Sequence, residues 1–398
     1  MAPHLLHVFS TFKLGGPQRR FVQLANAFGP SYRHSIIALD GQTQASSLLS
    51  SDVEAQFLTF QPVKGRLRPV ANLRAIWRLL SEQSPDLLLT YNWGAMEWTL
   101  ANRFWGFAPE LHFEDGFGPE EADGRQLARR VWTRRLAIGG RSGLIVPSRN
   151  LATIAGETWR IAVENTHFVP NGIEVERFAG AAAGRCAKDD GVVVGTVCAL
   201  RPEKNLGRLI RCFSQLRDLP VTLQIAGDGP ERLPLEWLVR ELGLADRVQF
   251  LGHIDDAAPV YAGFDIFALS SDTEQMPYSV LEAMAAGLPI VATDVGDVHT
   301  MLSPDYKSSS VVPVKDEDGF TEKLRQLVRS PSGRQAVGAA NQQFVRQHYS
   351  LERMVDCYNR LFQRTIDRGK HNRLPAAMAQ TAAYVLQRLS KLQERGGN

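Results

Sequence analysis

Two acids eight positions apart, Glu274 and Glu282 in "EQMPYSVLE", are the residues best placed to do chemistry. An apolar run, "DIFALSS" (265–271), precedes them, and a helical pattern, "VLEAMAAG" (280–287), follows. Glu274 therefore falls in the loop at the carboxyl end of a strand. A carboxylate there can accept hydrogen bonds from sugar hydroxyls or stabilise positive charge developing on an anomeric carbon. Glu282 has a second reading, because Ser279-x-x-Glu282 fits a capping box in which the acid only satisfies a backbone amide.

Three further loops add cations and bare backbone. "RPEKN" sets Arg201 and Lys204 three apart before Asn205, where two cations could clamp a diphosphate. The alternative is a solvated basic loop with Glu203 as local partner. Gly15 and Gly16, followed by Pro17, let a backbone approach a ligand and open a helix whose free amides suit an anion. The spacing is not G-x-G-x-x-G, which disfavours a nicotinamide-binding domain. In "IAGDGPER", Gly227 and Gly229 allow a sharp strand exit.

The elements that must position these loops alternate between β-like and helical runs, the pattern of parallel α/β sheets. Strands are expected at 5–10, 34–40, 55–60, 86–92, 110–115 and 143–148. A second series is expected at 191–200, 221–227, 248–253, 265–271, 289–295 and 309–314. The runs are apolar throughout rather than alternating, as suits strands covered on both faces. Between the first two strands, Phe21, Leu24, Ala25 and Phe28 form a helical stripe with arginines opposite. "AGAAAGRCAKDDG" after the Asn171-Gly172 turn is the linker candidate. The expectation is two doubly wound Rossmann-like domains, 1–170 and 171–368, with a helical tail at 369–398 packing back on the first domain. Ligands of such sheets sit beyond the carboxyl ends of the strands.

A chain of 398 residues, 44% hydrophobic and 22% charged, suits a two-domain globular enzyme. It has no run of about eighteen apolar residues to span a bilayer. "MAPHLLHVFSTF" lacks a basic start before a long apolar block, so no secretory signal is expected. Four scattered cysteines without a C-x-x-C pair argue for a reducing, cytoplasmic setting. Residues 1–170 hold 18 Lys+Arg against 14 Asp+Glu, and the remainder 27 against 28, so the positive excess lies in the first half. Seven arginines and no acid occupy 125–149. Arg125, Arg129, Arg130, Arg134 and Arg135 make either a solvated helix face or a surface for anionic lipid at the inner membrane face. No aromatic platform or recognition motif accompanies them, which disfavours nucleic acid.

In order and interval, GG (15–16), PNG (170–172), RPEKN (201–205), GDGPE (227–231), FLG (250–252) and E-x7-E (274–282) resemble the GT-B glycosyltransferases of family 4, the retaining group 1 enzymes. The resemblance runs from residue 5 to 365. It implies that Glu274 holds the donor sugar near its 3- and 4-hydroxyls and that Glu282 holds the nucleotide ribose. It assigns Lys204 to the diphosphate and Gly15 and Gly16 to the diphosphate and acceptor side. No cofactor or metal is implied, since basic side chains and helix amides neutralise the leaving nucleotide. Two positions depart from the family pattern. Ala199 stands where many members carry an arginine, with Arg201 near enough to substitute. "HFEDGFGPEE" puts Asp115 in the place of a family histidine, with His112 three residues earlier. The implied activity is retaining transfer from a nucleotide sugar, of unspecified base and sugar, to a saccharide or lipid-linked acceptor. The alternatives are a GT-B sugar-nucleotide epimerase and a non-catalytic sugar-nucleotide-binding protein.

Overall fold

The computed structural model describes residues 2–61, 68–117, 121, 126–140, 142–183 and 191–371. Two sheets carry these residues. The first comprises β1 (His4–Phe9), β2 (Arg33–Ala38), β3 (Glu54–Phe57), β4 (Leu87–Tyr91), β5 (Glu110–Phe113), β6 (Ser142–Val146) and β7 (Thr166–Phe168). The second comprises β8 (Val192–Val197), β9 (Val221–Ala226), β10 (Val248–Gly252), β11 (Ile266–Leu269), β12 (Ile290–Thr293) and β13 (Val311–Val312). Spatial order is β3-β2-β1-β4-β5-β6-β7 in one and β10-β9-β8-β11-β12-β13 in the other. The central strands β1, β4, β11 and β12 are buried along their whole length, which is why their sequences are apolar runs. The short β7 carries no such run and escaped the sequence reading.

Strand order reverses direction between β1 and β4 and again between β8 and β11. At such switch points neighbouring crossovers depart to opposite faces and leave a crevice at the carboxyl ends. The Gly15-Gly16 loop leaves β1, the RPEKN loop leaves β8, and the Glu274 loop leaves β11. Chain topology thus gathers the polar loops before any side chain is considered.

The chain crosses between the sheets twice, side by side. Ile173 and Ser350 form a parallel bridge, with Ile173 N–H donating to Tyr349 O and Leu351 N–H to Ile173 O, both at 2.9 Å. Ile173, Val175 and Phe178 pack in the core of the second sheet. From the second crossing, helix Leu351–His371 returns to the first sheet and buries Met354, Tyr358, Phe362 and Ile366 among Phe9, Phe28 and Phe113. The return is therefore made by residues expected in the second domain. The "AAYVLQRLSKLQ" segment expected to make it, and most of the linker candidate, lie outside the described residues. Among the described residues no helix is long and apolar enough to cross a membrane.

One polar row interrupts the first core. His4 Nε2 meets Ser35 Oγ at 2.7 Å, His7 Nδ1 meets Tyr91 Oη at 3.1 Å, and His7 Nε2 meets His34 Nδ1 at 3.0 Å. Burial, reinforced by the neighbouring histidines, holds His7 well below the usual imidazole range and His34 down at about 4. These rings stay neutral when folded but take up protons when unfolded, so stability falls as pH drops through about 6.5 towards 4. His34→Leu is expected to lose about 2 kcal/mol less than the parent between pH 7 and 5, measured by denaturant unfolding. Equal losses would contradict the assignment.

Candidate active site

The carboxyl ends of the two sheets face each other across a cavity of about 560 Å³, of the size that holds a nucleotide-sized ligand. Lys204 and Glu274 meet in its wall. Lys204 closes a short turn, Pro202–Lys204, after β8, and its Nζ lies 2.6 Å from Glu274 Oε1. Ser271 Oγ donates to the same carboxylate oxygen at 2.8 Å. The two side chains are 15% and 11% exposed, so the pair is sheltered yet reachable from the cavity. Arg201 also lines the cavity, with Glu203 at 3.0 Å, and is the more exposed cation.

Glu282 sits in the second turn of helix Tyr278–Ala285, whose N-cap is Pro277. It is too deep in the helix to cap it, so the capping-box reading fails. Instead, its Oε2 accepts from Tyr261 Oη at 2.7 Å and its Oε1 from Arg19 across the cavity. Burial and the adjacent Glu282 carboxylate push the Tyr261 hydroxyl well above its usual range, which keeps it a donor. Cys198 also reaches the cavity, but burial pushes its thiol up to about 12, so it is not a thiolate nucleophile.

The first domain contributes Gly15, Gly16, Arg19, Arg20 and Asp115 to the cavity. Helix Gly16–Phe28 starts with Pro17 and buries the predicted Phe21, Leu24, Ala25 and Phe28. Arg20, opposite the apolar stripe, is nevertheless buried. It is 2% exposed and grips Asp115 with two bonds, of 2.5 and 2.9 Å, and Asn171 Oδ1 at 3.2 Å. The sequence reading named neither Arg19 nor Arg20 individually. Their signal was position, at the fourth and fifth residues of a helix opening at the glycine loop.

Other predicted residues do not reach the cavity. His112 is wholly buried on β5, with Nδ1 2.8 Å from Thr90 Oγ1 and 3.3 Å from Thr99 Oγ1. It faces the core, so of the two residues weighed for the histidine's place only Asp115 faces the cleft. Asn205 caps helix Leu206–Ser214, accepting from Arg208 N–H at 3.2 Å and donating to Asp272. Gly227 and Gly229 pack against residues 198–200, just before the RPEKN loop. A Cβ on Gly227 would fall 1.8 Å from Cys198 O, and one on Gly229 2.5 Å from Leu200 O, so both glycines allow close backbone packing there and neither lines the cavity.

The arginine block is also corrected. On helix Ala128–Ala137, Arg130 and Arg134 are turned inward, Arg134 only 1% exposed. Arg130 pairs with Glu121 at 3.0 Å and Arg134 with Glu114 at 2.9 Å. The Arg134 guanidinium lies over Trp159, its carbon 4.6 Å from the ring centroid. Burial alone would raise the Glu114 carboxyl; contacts with His112 and Arg134 outweigh it and lower it. Arg135 donates to Thr158 O, which leaves Arg129 as the outward arginine of this helix. Arg125 lies outside the described residues. The acids that pair with Arg130 and Arg134 come from "EDGFGPEE", the segment that also carries Asp115.

Residues 191–330 match the family described as "Glycosyl transferases group 1", and residues 15–172 the family described as "Glycosyl transferase 4-like domain". A lipopolysaccharide core biosynthesis glycosyltransferase of Rhizobium meliloti, LpsE, is 30% identical over 172 residues, 43% of this chain and 50% of that protein. An MMP alpha-(1->4)-mannosyltransferase of Mycolicibacterium hassiacum is 29% identical over 43% of this chain and 41% of its own. The chain spans about half the length of the curated relatives it matches. In fold, it superimposes on a sucrose-phosphate synthase of Thermosynechococcus elongatus with a TM-score of 0.78 at 18% identity, covering 92% of this chain and 100% of that one. The likeness to Anabaena HepE in complex with UDP and glucose has a TM-score of 0.75 at 18% identity, over 91% and 99% of the two chains.

The buried Arg134–Glu114 contact predicts a structural effect independent of any ligand. Arg134→Ala removes the permanent positive charge from a buried carboxylate, leaving only His112 beside it among the described residues, and is expected to cost about 3–5 kcal/mol in urea unfolding. A loss under about 1 kcal/mol would return Arg134 to the surface face.

Proposed function

For a chain that belongs to the group 1 glycosyltransferases of GT-B fold, we propose that the cleft transfers a sugar from a nucleotide-sugar donor to a saccharide or lipid-linked acceptor, with retention. The observation that carries this reading is the Lys204–Glu274 pair at the switch point of the second sheet. One residue matches the diphosphate and the other the sugar, within one hydrogen bond of each other.

In this reading the donor diphosphate takes Lys204, Arg201 and the amides at the start of helix Gly16–Phe28. Its charge displaces Glu274 from Lys204, freeing the carboxylate for the sugar hydroxyls. Glu282, oriented by Tyr261, takes the ribose once Arg19 turns to the phosphates. The acceptor enters from the first domain, past Asp115. Both Asp115 oxygens are already bonded to Arg20, which makes this acid a holder of shape rather than a nucleophile. Among the described residues lining the cavity, the carboxylates of Asp115, Glu274 and Glu282 are each already engaged, so a same-face route fits best. The bond from the anomeric carbon to the leaving phosphate oxygen breaks first. That oxygen then accepts the acceptor hydroxyl's proton as the new glycosidic bond forms on the same face. The protein supplies positioning and charge stabilisation. Polysaccharide or lipopolysaccharide assembly is the setting proposed, after the relative LpsE.

The test is incubation with a panel of UDP- and GDP-sugars, followed by chromatography for free nucleotide and intact donor. Slow release from one donor is expected, with Glu274→Gln slowing it about 100-fold or more. Binding without release, even with saccharide acceptors, would contradict transfer. A changed sugar on an intact nucleotide would indicate epimerisation. Lys204→Ala is expected to weaken nucleoside diphosphate binding by about 1.5–3 kcal/mol in titration calorimetry; unchanged affinity would remove Lys204 from the diphosphate site.

A further inference from the structure

The loop that carries Glu274 does not belong to the second domain alone. Gln275 Oε1 accepts from Ser148 Oγ at 2.9 Å and from Asn150 Nδ2 at 3.2 Å, both in the first domain. Met276 O accepts from Asn171 Nδ2 at 3.0 Å. Behind it lies the Gly296-Asp297 turn. Asp297 N–H donates to Gln275 O at 2.9 Å, and a Cβ on Gly296 would fall 2.4 Å from Glu274 O. With Gly296 at φ +54, that close approach is open to glycine alone. Loop and turn therefore move as one piece.

Asp297 then reaches across to the first domain. Helix Arg149–Glu157 has Ser148 as its N-cap, bonded to Leu151 N–H. The N–H groups of Arg149 and Asn150 have no carbonyl within the helix to receive them. Asp297 Oδ2 accepts from Arg149 N–H at 2.7 Å, and Oδ1 from Asn150 N–H at 3.0 Å. The carboxylate is 6% exposed. A charge so buried is held by the two charge-assisted bonds and the positive end of the helix, and it loses both if the domains part.

We propose that Asp297 is a positioning residue: its carboxylate caps a helix of the opposite domain and so couples domain closure to the placement of Glu274. The proposal deepens the transferase reading and rests on it for the role of Glu274. The coupling itself is a property of the interface. Opening the domains withdraws Asp297 from the amides, and the welded loop goes with it. Closing them brings the Glu274 loop, with Lys204 beside it, against the first domain's wall of the cavity.

Small-angle X-ray scattering and calorimetric titration with UDP and GDP test this on the full chain. Asp297→Ala is expected to enlarge the radius of gyration and weaken nucleoside diphosphate binding about tenfold, with Asp297→Asn between it and the parent. Arg149→Pro attacks the same contact from the other side. It deletes one amide donor at the first helical position, where proline fits and where Ser148 already has extended backbone (φ −125, ψ 150). Arg149→Ala, which keeps the amide, should match the parent. The double variant Asp297→Ala/Arg149→Pro should be no worse than Asp297→Ala alone. Parental scattering for both Asp297→Ala and Arg149→Pro would overturn the coupling, as would additive losses in the double variant. If no donor is turned over, the scattering and the non-additivity still decide the clamp, so the two readings fail separately.

Discussion

Charge sheltered in a cleft cannot remain alone, and that constraint organises the whole interdomain region. Lys204 sits over the end of β8 and Glu274 over the end of β11, two adjacent strands where the second sheet switches direction. Arg19 answers Glu282, and Arg20 answers Asp115. Each cation that could meet a phosphate is thus held by an acid that could meet a hydroxyl. In the proposed reaction, substrate binding is an exchange of partners rather than the filling of an uncharged hole. An entering diphosphate substitutes for the carboxylates, and the released carboxylates gain sugar and ribose hydroxyls in return. The exchange keeps every sheltered charge paired throughout.

The supporting structure serves that exchange by limiting motion. Tyr261 fixes one oxygen of Glu282 while leaving the other to Arg19. Gly227 and Gly229 bring the β9 exit against Cys198–Leu200, the segment that leads into the RPEKN loop. Asn205, at φ 42, ends the Lys204 turn and starts the next helix. On the far side, the Arg134–Glu114 and Arg130–Glu121 pairs stiffen the first domain without touching the cleft. The returning helix Leu351–His371 ties the end of the described chain into the first core, so both crossings form one seam.

Much of the fold was legible because parallel strands buried on both faces write themselves as apolar runs, and the loops after them carry glycine and proline. Twelve of the strands were placed from such runs, although the edge strand β3 is largely exposed, whereas β7, at the other edge with Thr166, His167 and Phe168, has no such signature. Glu274 was legible for a related reason: it has no local structural task and follows a strand, whereas Lys204 was singled out by the family resemblance of RPEKN. What failed was any reading that depended on which way a side chain turns. Arg130 and Arg134 read as an outward face, solvated or lipid-facing, and Arg20 only as lying opposite an apolar stripe; their acid partners, Glu121, Glu114 and Asp115, are supplied by another segment that periodicity does not place. Glu282 looked like a cap since Ser279 stood three residues before it, yet the helix had already begun at Tyr278. His112 and Asp115 are close in sequence but diverge at the end of β5, one into the core and one to the cleft.

The central claim is that diphosphate replaces Glu274 as the partner of Lys204. A crystal structure with a bound nucleoside diphosphate tests it most directly. The account predicts a phosphate oxygen within hydrogen-bond distance of Lys204 Nζ, and the Glu274 carboxylate withdrawn from the lysine towards the sugar side of the cavity. A nucleotide bound elsewhere, or bound in this cavity with the Lys204–Glu274 contact intact, would contradict it.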